Sequence, residues 1–254
     1  VRDRLKHTGH TADLDGNAHA DNIIVGSGPG TDSRVTVFSS TLPTLGATPE
    51  VFSTFTPYPG SRSGVTLATG TVDVGTGRPS IVTAPGPGEP ARIRTFRYDL
   101  YTPTEAARAR GGTTDPGRDP AMTAEFDAYD PAYTGGVSLA TGWVAGAEGG
   151  AQSVITGQLT GPGEVRVWST GSRLDGGPAM YLHSPEHHAA MTEFAQIASF
   201  TPFPAQAGVR VATSSTTTGA DLIVSGMGPG GSEVRKYALA RPDPAARTVA
   251  PTLL

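Results

Sequence analysis

The sequence repeats one short segment at a fixed interval. Gly-Val-x-(Leu or Val)-Ala-Thr occurs three times, and its valines, Val65, Val137 and Val209, lie 72 residues apart at each step. A Phe-x-x-aromatic motif precedes each copy, at residues 55–58, 126–129 and 200–203. Such regular self-similarity is typical of a repeat architecture.

A second pattern occurs four times and occupies the rest of each repeat. It consists of a β-branched run, a Gly-Pro-Gly turn and an alternating segment that ends in an aromatic residue. The alternating segments are residues 34–38, 92–96, 164–168 and 233–237. Because alternation with period two between glycine and proline turns indicates short antiparallel strands, each repeat is predicted to form a small sheet.

Small sheets of this kind cannot bury both faces alone, so neighbouring sheets must stack. We therefore predict an all-β fold, a β-propeller of four visible repeats of about 60–72 residues. The whole chain, 1–254, is predicted to form a single domain with repeats at approximately 1–63, 64–135, 136–207 and 208–254. Since propellers typically have 4 to 8 blades, a four-bladed ring and part of a larger propeller both remain open.

Two inserts are predicted to be short helices, in repeats two and three. Residues 102–110 begin with Thr-Pro and stop before Gly111-Gly112, and residues 184–193 begin with Ser-Pro. A capping hydroxyl followed by proline is typical of a helix N-terminus, and glycine of a helix end.

Composition excludes several classes of function. The 254 residues carry 19 basic and 23 acidic side chains, with a net charge of −4, so no electrostatic field attracts nucleic acid. Cysteine is absent, which excludes disulfides, thiolate catalysis and Cys-ligated metals. No apolar run reaches the roughly 18 residues that a membrane-spanning helix needs.

One acidic turn has a spacing that suits a metal ion. Asp13, Asp15, Asn17 and Asp21 surround Gly16, and their side-chain oxygens could converge on one point. Calcium takes six to eight oxygen ligands at about 2.3–2.6 Å. We predict one structural calcium site here; the alternative is that these side chains form only Asx-turn hydrogen bonds.

Two further clusters admit a chemical interpretation. Imidazole and thioether groups suit copper, and the insert of repeat three contains His183, Glu186, His187, His188, Met191 and Glu193. The alternative is a solvated helix with ordinary surface histidines.

A pair of catalytic carboxylates for glycoside hydrolysis could be chosen from Asp99, Glu125, Asp127 and Asp130. The alternative is that these are ordinary exposed acids in turns.

The aromatic residues are predicted to be structural. Rings at matched repeat positions are expected to pack between neighbouring sheets, because they supply most of the apolar area of thin blades. The alternative is a set of carbohydrate-stacking platforms formed by Phe55, Tyr58, Phe126, Tyr129, Tyr133, Phe200 and Phe203. Trp143 and Trp168 are less repetitive and are candidate surface anchors for a partner.

The succession of Gly-Val-x-Leu-Ala-Thr, an acidic turn, Ile-Ile-Val-Gly, Gly-Pro-Gly and Val-x-Val-Phe resembles the FG-GAP or VCBS-type repeat of bacterial and integrin-like β-propellers. The resemblance spans nearly the whole chain. It implies a turn of the form Asp-x-Asp/Asn-Gly-Asp/Asn-x-x-x-Asp that holds Ca²⁺, which repeat one matches. The other repeats keep only Asp73, Glu148 and Asp221, so calcium is expected in repeat one alone.

The resemblance also implies a function. Such propellers commonly serve adhesion, ligand binding or assembly in secreted and surface proteins, so we expect a non-catalytic extracytoplasmic binding or scaffold module. It would be secreted, cell-surface or periplasmic, with a protein or glycan partner, as a subunit or fragment of a larger assembly. No catalytic or cofactor-binding residues are recognisable, and calcium is the one expected ligand ion. The alternative is a secreted enzyme or lectin that acts on polysaccharide through the propeller channel or loop face.

The source is predicted to be bacterial. Only Lys6 and Lys236 among the 19 basic residues are lysine, and the sequence favours alanine, glycine, threonine and arginine. This bias is expected of a GC-rich bacterial gene.

Overall fold

The fold is built from β-strands throughout the part of the chain that the structure describes. The computed structural model describes residues 8–14, 22–38, 50–73, 78–98, 120–143, 151–170, 182–183, 190–191, 193–203, 208–216, 219–227, 233–240 and 250–254. These residues form strands and turns and no helix. The all-β prediction is confirmed.

Sixteen of the strands form four antiparallel sheets, one after another along the chain. The first sheet contains β1 (Thr8–Ala12), β2 (Asn22–Gly26), β3 (Val35–Phe38) and β4 (Val51–Phe55), and the second contains β5 (Val65–Gly70), β6 (Ser80–Pro85), β7 (Arg92–Arg97) and β8 (Ala121–Asp127). The third contains β9 (Val137–Gly142), β10 (Ser153–Gln158), β11 (Val165–Ser169) and β14 (Ala195–Phe200). The fourth contains β15 (Val209–Thr216), β16 (Gly219–Gly226), β17 (Val234–Ala240) and β18 (Ala250–Leu253).

A two-stranded hairpin lies between β11 and β14. It consists of β12 (Leu182–His183) and β13 (Ala190–Met191), paired antiparallel with Leu182 opposite Met191. The helix predicted over 184–193 is therefore wrong at Ala190–Met191, where the backbone pairs across strands instead of within a helical turn. Residues 184–189 and the helix predicted over 102–110 lie outside the described residues.

The sheets stack through their first strands. Strand β5 packs beside β1, β9 beside β5, and β15 beside β9. Three apolar cores fill the spaces between consecutive sheets, centred on Ile24 with Leu67, on Val82 with Leu139, and on Ile155 with Val211. Burial of these aliphatic side chains, at about 25 cal/mol per Å², is the main force that holds the stack together.

Burial along the second strands shows which sheets lie inside the stack. All residues of β6 and β10 are buried, because their sheets are covered on both faces. In β2, by contrast, buried Ile24 follows exposed Ile23. Among the described strands, the first and fourth sheets do not pack on each other as consecutive sheets do. Ring closure within one chain is thus not part of the observed architecture.

A ladder of threonine hydroxyls connects the four first strands. Thr69 Oγ1 donates to the carbonyl of Thr11 at 3.2 Å, and Thr141 Oγ1 donates to the carbonyl of Thr69 at 2.5 Å. Thr213 Oγ1 donates in the same way to the carbonyl of Thr141 at 2.7 Å. The Thr of each Ala-Thr repeat thus fixes its strand against the preceding one.

The outer strands of three sheets carry a β-bulge at the same place. The register shifts opposite Phe38, Phe96 and Trp168, at the aromatic end of each third strand. One additional residue therefore lies in β4, β8 and β14. A bulge of this kind bends and twists the strand that carries it.

Candidate functional site

A recurring arginine cluster joins neighbouring sheets. Arg94 of β7 lies over the ring of Tyr58, with 5.1 Å from Cζ to the ring centroid, and donates to the carbonyl of Pro57. Tyr58 follows β4, so the contact links the second sheet to the first. Arginine binds both a ring face and a carbonyl because its guanidinium is flat and has several donors.

The same cluster occurs at the next two junctions. The equivalent contacts are those of Arg166 with Tyr129 and Ala128, and of Arg235 with Phe203 and Pro202. The Cζ to centroid distances are 4.8 and 4.6 Å, and the nitrogen to carbonyl oxygen distances are 3.0 and 2.5 Å. We call these three groups the arginine clamps.

An acidic side chain orients each clamp arginine. Arg94 Nε donates to Glu125 at 2.5 Å, and Arg235 Nε donates to Glu233 at 2.7 Å. Glu164 accepts two bonds from Arg166, at 2.9 and 3.0 Å, and one from Ser199 at 2.5 Å. Partial burial acts to raise the pKa of Glu164, but these hydrogen bonds and the charge of Arg166 hold it below its ordinary value. Glu164 therefore stays ionised in its structural role.

The clamp tyrosines are also engaged through their hydroxyls. Tyr58 Oη donates to the carbonyl of Arg92 at 2.8 Å, and Tyr129 Oη donates to the carbonyl of Glu164 at 2.9 Å. Burial raises the pKa of both tyrosines far above the ordinary value. Both hydroxyls are therefore neutral donors, used to hold the sheets in register.

The prediction that matched aromatic rings pack between sheets is confirmed. Contacts with centroid distances of 4.8 to 5.1 Å join Phe55 to Phe96, Phe126 to Trp168, and Phe200 to Tyr237. Each pair combines a fourth strand with the third strand of the next sheet. Trp168 is buried, and its Nε1 donates to Thr156 at 3.1 Å, so it is not a surface anchor. Trp143 is 39% exposed and remains a candidate surface anchor for a partner.

The acids considered for glycoside hydrolysis have other partners where the structure describes them. Glu125 bonds to Arg94, and Asp127 accepts from Arg92 Nε at 3.2 Å, a bond that raises the pKa of this arginine. Asp130 accepts from the backbone N–H of Ala132 at 2.8 Å, as in an Asx-turn. Asp99 lies outside the described residues.

The acids retained in the turns of repeats two and four take part in structural contacts. Asp73 is 1% exposed and accepts from Ser80 at 2.7 Å and from Thr123 at 3.2 Å, with Arg97 at 3.4 Å. Asp221 pairs with Lys236 Nζ at 2.7 Å. Glu148 of repeat three lies outside the described residues.

The predicted calcium turn is described only at its ends. Asp13 is half-buried directly after β1, and the backbone N–H of Leu14 donates to Asn22 Oδ1 at 2.8 Å, which ties the two ends together. Asp15, Asn17 and Asp21 lie outside the described residues. Three carboxylates and an amide are hard oxygen donors, so this set fits calcium. The described residues alone contain no group of three candidate ligands.

Calcium is expected to stabilise the wild-type protein. At 100 times the dissociation constant, binding adds about 2.7 kcal/mol, which corresponds to an increase in Tm of roughly 5–10 °C. Asp13→Ala should abolish this increase in differential scanning calorimetry with calcium or chelator. Asp32→Ala, at an exposed acid whose ion pair within the described residues is with exposed Arg62, should retain it. If calcium and chelator left the wild-type melting curve unchanged, the predicted calcium site would be contradicted.

The histidines show no described metal cluster. His183 lies in β12, whereas Glu186, His187 and His188 lie outside the described residues. Half-burial lowers the pKa of His10 in β1, although a hydrogen bond to the backbone of Leu67 opposes the shift. A neutral His10 fits the space between the first two sheets.

A cleft of about 500 Å³ lies beside the first clamp. It is lined by Tyr58, Pro59, Gly60, Ser61, Pro85, Glu89, Pro90, Arg92 and Arg94. At the next junction Tyr133 packs on Tyr129 with 5.2 Å between ring centroids, and its hydroxyl donates to the carbonyl of Gly136. In the turn of the first junction, Arg62 stands at the position that corresponds to Tyr133, and its side chain is 69% exposed.

Sequence reasoning missed the arginine clamps although a signal was present. An arginine stands at the centre of the alternating segment in repeats two, three and four, at residues 94, 166 and 235. The corresponding residue of repeat one is Thr36. Three arginines in step with the repeated aromatic motif could have indicated a shared contact.

No helix among the described residues is long and apolar enough to cross a membrane. Comparisons with protein-family models, curated proteins and solved structures gave no match to this chain.

Proposed function

We propose that this chain is a non-catalytic β-propeller module of the FG-GAP or VCBS type, which acts outside the cytoplasm as a binding or scaffold unit. The arginine clamps carry the proposal. Their guanidinium groups and the two tyrosine hydroxyls join consecutive sheets, and their carboxylates hold the arginines in place, so these groups are already engaged in structural contacts. A stack of four-stranded sheets with adjacent first strands is also typical of blades around a propeller axis.

A glycan is the ligand class that the cleft beside Tyr58 favours. Three prolines and the edge of buried Tyr58 line it on the apolar side, and Ser61, Glu89 and Arg92 are among its polar lining residues. Apolar walls with a few convergent polar groups are common in ligand sites. A lectin-like scaffold is therefore the more specific form of the proposal.

Binding without turnover tests the proposal. We expect a panel of oligosaccharides to include one that gives a saturable calorimetric isotherm. Its affinity should fall about tenfold in Glu89→Ala, for the loss of one hydrogen bond worth about 1.5 kcal/mol. Glu50→Ala, at an exposed acid outside the cleft, should bind as the wild type does.

Product analysis of the same mixtures distinguishes a lectin from an enzyme. Release of new reducing ends by the wild type, lost in Glu89→Gln, would establish the enzymatic alternative. Recovery of the protein in the cytoplasmic fraction of its source cells would contradict the proposed location.

A further inference from the structure

The outward face of the first sheet repeats a face that is buried in the other three. Ile23 of β2 lies opposite Phe38 of β3. The equivalent cross-strand pairs are Ile81 with Phe96, Val154 with Trp168, and Leu222 with Tyr237. All six of these side chains are at most 8% exposed, in cores shared with the preceding sheet, whereas Ile23 is 43% exposed. The first sheet thus carries the apolar side of an inter-sheet contact.

The hydroxyl of Thr11 also lacks, among the described residues, the contact that its equivalents make. The equivalent hydroxyls of the next three sheets donate to a carbonyl of the preceding first strand. Thr11 has no such acceptor among the described residues, although its own carbonyl accepts from Thr69. Within the part of the chain that the structure describes, the threonine ladder therefore ends at Thr11.

The outward face of the fourth sheet carries the complementary pattern. Ile223 corresponds to Ile24, Val82 and Ile155, and Val234 corresponds to Val35, Ile93 and Val165. Those six equivalents are fully buried against the following sheet, whereas Val234 is 62% exposed and Ile223 is half-buried. The carbonyl of Thr213 stands at the position of the ladder acceptors. The two open faces therefore match at these positions, while Lys236 stands where the other sheets bury Val37, Thr95 and Val167.

We propose that two copies of this chain associate head to tail, the fourth sheet of each covering the first sheet of the other in a ring of eight sheets. The occupant is a second copy because the two matching faces of one chain do not pack on each other. The contact continues an interface that occurs three times within the chain. Two identical head-to-tail contacts close a ring of two-fold symmetry, with eight blades, inside the range seen for propellers.

Charged side chains are few on these faces. Lys236 and Asp221 on the fourth sheet neutralise each other, and exposed Arg210 of β15 lies on the same face. The facing strand positions of the first sheet are Thr11, Ile23, Val25, Thr36 and Phe38, all of them uncharged, while exposed Arg34 directly precedes β3. The strands of the first sheet therefore bring no charge to the contact.

Native mass spectrometry over a concentration series provides the first test. We expect a species of twice the 26.0 kDa chain mass. Ile23→Asp and Val234→Asp should each raise its dissociation constant by roughly 100-fold or more, since both place a carboxylate in an apolar contact. Trp143→Asp changes a similarly exposed side chain outside both faces and should associate as the wild type does. A protein that stays at the mass of one chain at every concentration would overturn the proposal.

Single-cysteine variants test which faces meet, because the natural chain has no cysteine. A mixture of Thr11→Cys and Ser214→Cys should yield a cross-linked heterodimer under mild oxidation, and neither variant alone should. Ser214 corresponds to Gly142, where a Cβ would lie 3.0 Å from the Cβ of Thr213 in the following sheet. A mixture of Thr69→Cys and Ser214→Cys is the control, since the Thr69 side chain already faces Thr11 within its own chain. Cross-linking of Thr11→Cys with itself would mean that two first sheets meet. A variant that carries both Thr11→Cys and Ser214→Cys tests self-closure, which a cross-link within one chain would show. Either result overturns the proposal.

Discussion

Replacement of Gly208 by alanine is expected to destabilise the protein by at least about 3 kcal/mol. Gly208 lies directly before β15 with a φ of +104°, and a Cβ there would be 2.1 Å from the carbonyl oxygen of Leu159 in the third sheet. An L-residue in this backbone conformation alone costs roughly 1–2 kcal/mol. The rest of the effect comes from separating the third and fourth sheets, since backbone atoms cannot move aside as a flexible side chain does.

Gly161→Ala is the matched control for this prediction. Gly161 has a φ of +79° in the neighbouring turn, but no atom lies within 4 Å of the position its Cβ would take. Its cost should therefore stay near the conformational value of about 1–2 kcal/mol. Urea unfolding of the three proteins measures both effects. Equal losses in the two variants would show that the fourth sheet does not dock closely at Leu159.

Asp73→Ala is expected to cost about 3–5 kcal/mol, as breaking a buried ion pair usually does. The variant leaves Arg97, whose side chain is only 16% exposed, without this carboxylate, and removes the acceptor of Ser80 and Thr123. Asp73→Asn keeps an oxygen acceptor and should lose less.

Asp127→Ala tests whether burial causes the effect. Asp127 also pairs with an arginine of β7, but it is 40% exposed and its partner Arg92 is 47% exposed. Exposed pairs contribute about 0–1 kcal/mol, so this variant should unfold near the wild-type urea concentration. If Asp73→Ala proved as mild as Asp127→Ala, the buried cluster would not stabilise the second sheet.

The strands could be predicted from the sequence because their signals are local. Alternation in Val35-Thr36-Val37 places two buried valines on one face, and Gly-Pro-Gly turns separate these strands from their neighbours. The 72-residue interval has a physical counterpart, since Thr69, Thr141 and Thr213 occupy consecutive positions in one hydrogen-bonded ladder. A period in the sequence thus reappears as a contact between sheets.

The remaining features depend on contacts that local patterns do not specify. A Ser-Pro start indicated a helix over 184–193, yet Ala190–Met191 pairs with Leu182–His183, because partner availability decides between helix and strand in so short a segment. The role of Arg166 depends on a ring 37 positions earlier in the chain, and that of Asp73 on a threonine 50 positions later. Such distant pairings can be predicted only when the sheet topology is already known.

The bulges have a consequence for solubility. An outer strand exposes unpaired backbone groups along its free side, and a flat one invites another chain to add a strand, which leads to aggregation. In β4, β8 and β14 the additional residues, Phe52, Thr123 and Ile197, interrupt that regular row. In β18 the same protection comes from Pro251, which has no N–H to offer. Each of these four described outer strands therefore has a feature that opposes the addition of a strand from another chain.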